Sequence, residues 1–347
     1  MDFSKLIRKH ILNLTPYSSA RDEYTGKDGI FLDANENPYS SVTGDLFNRY
    51  PDPYQWIAKV KLGHLKGVQP ENIFLGNGSD EPIDLLIKAI CEPKEENIVI
   101  MPPTYGMYKV CADIQQVNVQ NAPLTEEFQI DLDNVFDAVN SATKIIWVCS
   151  PNNPSGNLLR KDDIVQIIKA FPDKLVVIDE AYIDFAKSTS FVSQLNDYEN
   201  LVVLQTFSKA WGMAGLRLGV AYAHTELIKI LNKIKYPYNI NILSQQKLII
   251  ALDNEQSKED FQRKIEIEKG NLEKELLKLS IIEKIFPSDS NMLLVKFKEA
   301  KKVFEYLLEN KIIIRDRSNV ALCDNCLRIT IGTFKENTLL INALKKY

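Results

Sequence analysis

Histidine is almost missing from this chain: His10, His64 and His224 are the three present in 347 residues, and none stands in a pattern that a histidine-based triad would need. Proton transfer at neutral pH is therefore left to lysine or a carboxylate. Cysteine is scarce and odd in number, at positions 91, 111, 149, 323 and 326. An odd count in a long chain without a signal fits reduced thiols in the cytosol. Cys323-Asp324-Asn325-Cys326 is a lone CxxC with no second pair and no histidine nearby. A zinc site needs about four ligands, so no metal is expected; a redox pair or ordinary loop residues remain. Excess charge is missing too: 42 basic against 46 acidic residues gives −4, which speaks against nucleic acid or an anionic membrane as a bulk partner. No stretch approaches the roughly 18 apolar residues of a membrane span. Residues Met1 to Leu14 mix charged and apolar side chains without a signal-like core, so a cytoplasmic protein is expected.

What is present is an alternating pattern. From Ile73 to about Ala223, short β-branched apolar runs alternate with helical spacings, as in a doubly wound, mostly parallel α/β sheet. Ile83, Leu86, Ile87 and Ile90 share one helical face, with Ser79 or Asp80 as cap and Pro82 in the first turn. Residues 224–280 are charge-rich and helical, with Glu-Lys pairs such as Glu273 and Lys278 on solvated faces. After residue 281 a smaller α+β unit is expected: strand 292–298, helix 301–309, strands 311–315 and 327–331, and helix 335–346. The domain expectation is an arm over residues 1–30 with one short helix, a large unit over 31–250 and a small one over 251–347.

Three buried-strand runs end in chemistry. Ile145 to Cys149 leads into Ser150-Pro151-Asn152-Asn153-Pro154, Leu175 to Ile178 into Asp179-Glu180-Ala181-Tyr182, and Leu201 to Gln205 into Thr206-Phe207-Ser208-Lys209. Parallel strands deliver their carboxyl ends to one edge of a sheet, where open α/β folds bind ligands. Alone, Lys209 reads equally as a solvated surface lysine, Asn153 as a turn residue before proline, and Asp179 as a helix cap. Together they place an amide, a carboxylate and an amine at one edge. Such a set suits pyridoxal phosphate: Lys209 would form the Schiff base, Asp179 would keep the ring nitrogen protonated, and Asn153 and Tyr182 would bond the ring's phenolic oxygen. Gly76-Asn77-Gly78-Ser79-Asp80 follows a strand and opens a helix, a good seat for phosphate. A dinucleotide fingerprint would want glycine where Glu81 stands, and a Walker motif would want Gly-Lys-Ser/Thr. Neither is met.

With these segments the chain resembles the fold-type I aminotransferases, and within them the histidinol-phosphate aminotransferases. The resemblance runs nearly end to end. It includes Asn13-Leu14-Thr15-Pro16-Tyr17, Leu32-Asp33-Ala34-Asn35-Glu36-Asn37-Pro38, Arg49-Tyr50-Pro51-Asp52, Pro102-Pro103-Thr104-Tyr105-Gly106-Met107-Tyr108 and Leu327-Arg328-Ile329-Thr330-Ile331-Gly332. The Asn-Pro and lysine segments are shared by many transaminases, whereas the amino-terminal pieces and the Pro-Pro-Thr-Tyr segment are more specific to this subgroup. The resemblance implies pyridoxal 5'-phosphate as cofactor, held at its phosphate by Gly78, Ser79, Asp80, Thr206, Ser208 and Arg217, with Tyr105 stacked on the ring. It implies the aminotransferase step of histidine biosynthesis, from L-histidinol phosphate and 2-oxoglutarate to imidazole acetol phosphate and L-glutamate. Lys209, Asp179 and Tyr182 would be the catalytic residues. Tyr17, Asn35, Arg315 and Arg328 would meet the substrate, with Arg315 thirteen positions before Arg328 as in the family. Arg317 nearby reads as an ordinary surface arginine. Tyr50 is similar to a tyrosine that reaches the cofactor phosphate from the neighbouring subunit, which implies a homodimer with shared sites. Still open are an aromatic amino acid aminotransferase or a phospho-amino-acid decarboxylase on the same scaffold, a pyridoxal-phosphate sensor domain and a nicotinamide oxidoreductase.

Overall fold

Apolar runs that are buried on both faces need a layer of helices on each side, and the computed structural model has that arrangement. It describes residues 1–17, 29–45 and 47–347. In chain order the first elements are α1 (Phe3–Leu6), α2 (Lys9–Asn13), α3 (Trp56–Lys66), β1 (Ile73–Asn77), α4 (Asp80–Ile90), β2 (Asn97–Ile100), α5 (Met107–Ile114), β3 (Asn118–Asn121) and α6 (Leu132–Ala138). Next come β4 (Thr143–Cys149), α7 (Lys161–Ala170), β5 (Leu175–Asp179), β6 (Leu201–Thr206), β7 (Leu218–Ala223), α8 (Thr225–Ile234), α9 (Ile242–Leu252) and α10 (Glu255–Leu276). These strands form a seven-stranded sheet in the order β1-β7-β6-β5-β4-β2-β3. Its pairs are parallel from β6 through β5, β4 and β2 to β3, and β7 runs antiparallel to both β6 and β1. Residues β4 145–148, β5 175–178 and β6 201–204 are wholly buried, and alternate positions fall into two apolar clusters, one on each face.

The remaining elements are β8 (Ile282–Ile285), β9 (Met292–Phe297), α11 (Ala300–Glu309), β10 (Arg315–Asp316), β11 (Cys326–Thr330) and α12 (Phe334–Leu344). Their antiparallel sheet has the order β10-β11-β9-β8. Leu293, Val295, Leu327 and Ile329 face a core shared with Val303 and Leu307 of α11 and with Leu340, Ile341 and Leu344 of α12. Leu294 and Cys326, which point the other way, join the core of the large sheet. The opposite face of this small sheet therefore turns toward the large one, and Arg328 lies on that face.

Several expectations need correction. The amino-terminal segment has two short helices, since Arg8 caps α2 and its amide bonds the Ala89 carbonyl at the end of α4. Residues 18–28 of the expected arm lie outside the described residues. The strand expected over 311–315 is only two residues long, because residues 311–314 find no register partner on β11 and pairing starts at Arg315. β8 was not expected; its exposed Glu283 and Lys284 interrupt the apolar pattern. Lys278 pairs with Glu275 and Lys345 with the same carboxylate, not with Glu273, because the neighbouring turn brings residue 275 closer.

Candidate active site

Asp179 is the last residue of β5, and Lys209 lies three residues beyond the end of β6, the adjacent parallel strand. β4 on the other side of β5 runs into the turn that carries Asn153. The edge predicted from three apolar runs is thus one edge. It opens into a cavity of about 440 Å³ lined by Ser79, Asp80, Tyr105, Cys149, Asn153, Asp179, Ala181, Tyr182, Thr206, Ser208, Lys209, Ala214, Arg217, Arg315, Arg317 and Arg328.

At the cavity floor, Asp179 is buried and accepts hydrogen bonds from the Tyr108 hydroxyl (2.6 Å) and the Ala181 N–H (3.1 Å). Burial pushes its carboxyl up to about 6, opposed by the Tyr108 hydrogen bond. Tyr108 is fully buried and stacked on Trp147 at 4.7 Å, so its hydroxyl cannot swing away. Lys209 Nζ stands 5.5 Å from the Tyr182 ring centroid. Partial desolvation, then the charges of Arg328 and Arg217, hold its amine below the ordinary lysine range. Both shifts favour the neutral forms, because desolvation outweighs the attraction that each group feels from the other.

One end of the cavity is built from the turn after β1. Gly78 has φ +71°, and a Cβ there would stand 2.6 Å from Arg217 Nη2. Gly219 of β7 lies so close beneath that a Cβ would meet Ser79 N at 2.2 Å. Both positions require glycine, one for conformation and one for space. Arg217 itself adopts a left-handed φ of 51°, a conformation costing a non-glycine residue roughly 1–2 kcal/mol. That strain aims its guanidinium at Asp80 Oδ2 (3.3 Å) and Ser208 Oγ (3.4 Å). Asp80 is the first residue of α4, so its N–H and that of its neighbour point outward at the helix start. Its carboxylate accepts from Tyr105 (3.0 Å) and Arg217. An anion at this end would therefore meet the Asp80 backbone, not its side chain. Thr206 donates its proton to the Leu218 carbonyl and accepts from the Ser208 N–H, which shapes the loop.

The other end is a cluster of arginines. Arg315 and Arg328 are directly opposed in the β10–β11 register. This explains the thirteen-residue spacing: a long turn returns the chain to the same rung. Arg328 donates to Asn153 Oδ1 at 2.5 Å, a link between the two sheets. Arg317 also lines the cavity, correcting its reading as a surface residue. Tyr108 and Arg317 are the residues that sequence reasoning missed; the alternation from Arg315 to Arg317 was the available signal for the second.

Three expected site residues are elsewhere in the chain. Tyr50 is 51% exposed, stacked on Tyr238 at 4.4 Å, and lines a surface cavity with Asn35 and Arg49. Tyr17 is 76% exposed and lines another with Lys233 and Tyr236. Neither cavity contains Lys209.

Pyridoxal phosphate fits the donor set of the Lys209 cavity. A buried carboxylate with no ion pair among the described residues and a primary amine line the same cavity, and Ser79, Ser208 and Arg217 surround a glycine-walled cradle that suits a phosphate.

Comparison with known proteins agrees. Residues 31–344 match the family model described as aminotransferase class I and II. A histidinol-phosphate aminotransferase of Cytophaga hutchinsonii is 53% identical over 342 residues, covering 99% of this chain and 98% of the relative. The structure of a histidinol-phosphate aminotransferase from Clostridium acetobutylicum superposes with a TM-score of 0.80 at 28% identity, covering 86% of this chain and 90% of that one. At 23% identity, the Sinorhizobium meliloti histidinol-phosphate aminotransferase, solved with pyridoxal-5'-phosphate, shares the fold with a TM-score of 0.79 over 86% of this chain and 82% of its own. The chain belongs to the class I and II aminotransferases, in the branch formed by the histidinol-phosphate aminotransferases.

Proposed function

We propose that this enzyme uses pyridoxal 5'-phosphate to move the amino group of L-histidinol phosphate to 2-oxoglutarate, giving imidazole acetol phosphate and L-glutamate. The observation that carries the reading is a single cavity with an amine and a buried carboxylate at its floor and separate arginine-lined ends. Two anion ends suit a phosphorylated cofactor and a substrate with an anion of its own. Among the described residues no helix is long and apolar enough to cross a membrane, and we place the enzyme in the cytoplasm. We divide it into an arm over 1–30, a large domain over 31–250 and a small domain over 251–347.

In this reading Ser79, Ser208, Arg217 and the amides after Gly78 bind the cofactor phosphate, while Thr206 shapes that loop. Tyr105 covers one ring face, and Asn153 and Tyr182 orient the ring through its phenolic oxygen. Asp179, held by Tyr108, keeps a proton on the ring nitrogen. The protonated ring, when bound, supplies an electron sink for charge that develops at the amine-bearing carbon. Lys209 would hold the cofactor through its side-chain amine, which also lies where it can move a proton. Its depressed basicity keeps a larger share of the amine neutral, the form that attacks and accepts protons. Lys209 Nζ takes the proton from the donor's amine-bearing carbon, and in the second half-reaction it returns one to the carbon of the oxo acid. Arg328 and Arg315 bind the substrate phosphate in one half and a carboxylate in the other, a dual use that suits the guanidinium fork.

Tyr50 is assigned to the cofactor phosphate of a second copy. The separation of Tyr50 from Lys209 within one chain supports a shared site. So do the exposed apolar side chains of Leu32, Tyr39, Val42, Trp56 and Ile57 in the same stretch. The same arrangement accommodates Asn35 and Tyr17. The test is turnover with 2-oxoglutarate as acceptor, comparing histidinol phosphate with phenylalanine. A large preference in kcat/KM for the phosphorylated donor is expected; equal or better use of phenylalanine would replace this reading by an aromatic aminotransferase.

A further inference from the structure

The arginine end of the cavity holds more positive charge than a carboxylate needs. Arg315 and Arg328 are opposed on neighbouring strands, an arrangement that destabilises a sheet when like charges are left facing each other. Arg317 continues the ladder through its N–H to the Cys326 carbonyl (3.0 Å) and falls on the same face as Arg315. All three line the cavity. Among the described residues, their side chains meet one acceptor, Asn153 Oδ1 on Arg328, and no carboxylate. Arg317 Nε is enclosed and has no hydrogen-bond partner. Burial and the charges of Arg328 and Arg315 press Arg317 below its ordinary range.

A carboxylate carries one charge, and one or two guanidinium forks satisfy it. A phosphate monoester carries close to two charges at neutral pH, with its second ionisation near pH ~6, and offers three acceptor oxygens. We propose that Arg317 is a specificity-determining residue that supplies the third guanidinium of the substrate anion subsite and selects a dianionic phosphate monoester over a carboxylate. This rests on the proposed reaction. Arg217, the fourth arginine of the cavity, is committed to Asp80 and Ser208 at the opposite end, so it cannot serve this subsite. The Arg317 contact is made to the dianion, and the preference for a phosphorylated ligand weakens as pH falls through ~6.

The experiment uses the holoenzyme and the variants Arg317→Gln and Arg317→Lys, assayed with histidinol phosphate and with histidinol. In Arg317→Gln, kcat/KM for histidinol phosphate should fall by at least about tenfold, the scale of one charge-assisted hydrogen bond. The loss for histidinol should be several-fold smaller, and Arg317→Lys should recover part of the phosphate preference. An equal loss with both donors, or no loss with either, overturns the assignment. A second measurement is calorimetric binding of 2-(imidazol-4-yl)ethyl phosphate, which has ring and phosphate but no amine to react. Wild type should bind it at least about tenfold more tightly than Arg317→Gln near neutral pH, with the gap closing in acid. If wild type fails to distinguish histidinol phosphate from histidinol, the proposed substrate falls. The assignment of Arg317 is then decided by this probe: retained tight binding lost in Arg317→Gln supports it, and equal binding overturns it.

Discussion

Replacing Asp179 with Asn should stabilise the cofactor-free protein at neutral pH, and the gain should shrink in acid. Asp179 is 2% exposed and accepts hydrogen bonds from Tyr108 and Ala181 without an ion pair among the described residues. Its carboxyl is pushed from 3.8 up to about 6. The folded chain therefore holds this proton more tightly than the unfolded chain, so stability falls as pH rises from about 4 to about 6, and the full cost persists above that. At 1.36 kcal/mol per pH unit the interval amounts to roughly 3 kcal/mol. Asparagine carries no charge to desolvate, its one oxygen can still accept from the Ala181 N–H, and its amide N–H can donate to the Tyr108 hydroxyl oxygen. Urea unfolding of both cofactor-free proteins, at one protein concentration, should give a difference of about 1 kcal/mol near pH ~4.5 and about 3 kcal/mol near pH ~7.5. Tyr108→Phe should act in the opposite sense. It removes a hydrogen bond to the charged form, raises Asp179 further and lowers stability more at neutral pH than in acid, by up to about 1.5–3 kcal/mol. Adding pyridoxal phosphate should reverse the order of wild type and Asp179→Asn, because the ring nitrogen supplies the missing cation. A difference independent of pH, or an Asn variant less stable throughout, would refute the view that this site carries an uncompensated carboxylate.

Lys209→Ala should retain cofactor through its phosphate contacts but lose the visible absorbance of the lysine-bound form. Its turnover should fall by at least ~10²-fold, as expected for loss of a positioned acid/base, and a rate near wild type would mean another group moves the proton. Lys209→Ala and Tyr50→Phe chains, each impaired alone, should regain activity when refolded together, since a mixed dimer places both defects in one site and leaves the other intact. Mixed dimers without recovered activity would end the shared-site assignment.

The order of apolar runs was enough to place Asn153, Asp179 and Lys209 at one edge. Short apolar runs joined by crossovers favour parallel strands, and parallel strands carry their carboxyl ends to the same side. The turn from β1 into α4 was equally legible, because an apolar run, glycines at 76 and 78 and a capped helix start follow one another in the sequence. Periodicity said nothing of β7, which runs against its neighbours on both sides, since a buried strand reads the same in either direction. Tyr108 stood out only as the end of the Pro102–Tyr108 segment, and the packing of α5 over the sheet is what brings its hydroxyl to a carboxylate 71 residues away. Arg328 meets Asn153 across 175 residues, a contact fixed by how the small sheet turns toward the large one. Arg315 and Arg328 could be matched by the spacing that the family shows, whereas Arg317 had only its alternation with Arg315 to set it apart from a solvated neighbour. Local sequence sets the period and caps of each element; which long side chains converge on one cavity is decided by the register and packing of elements far apart in the chain.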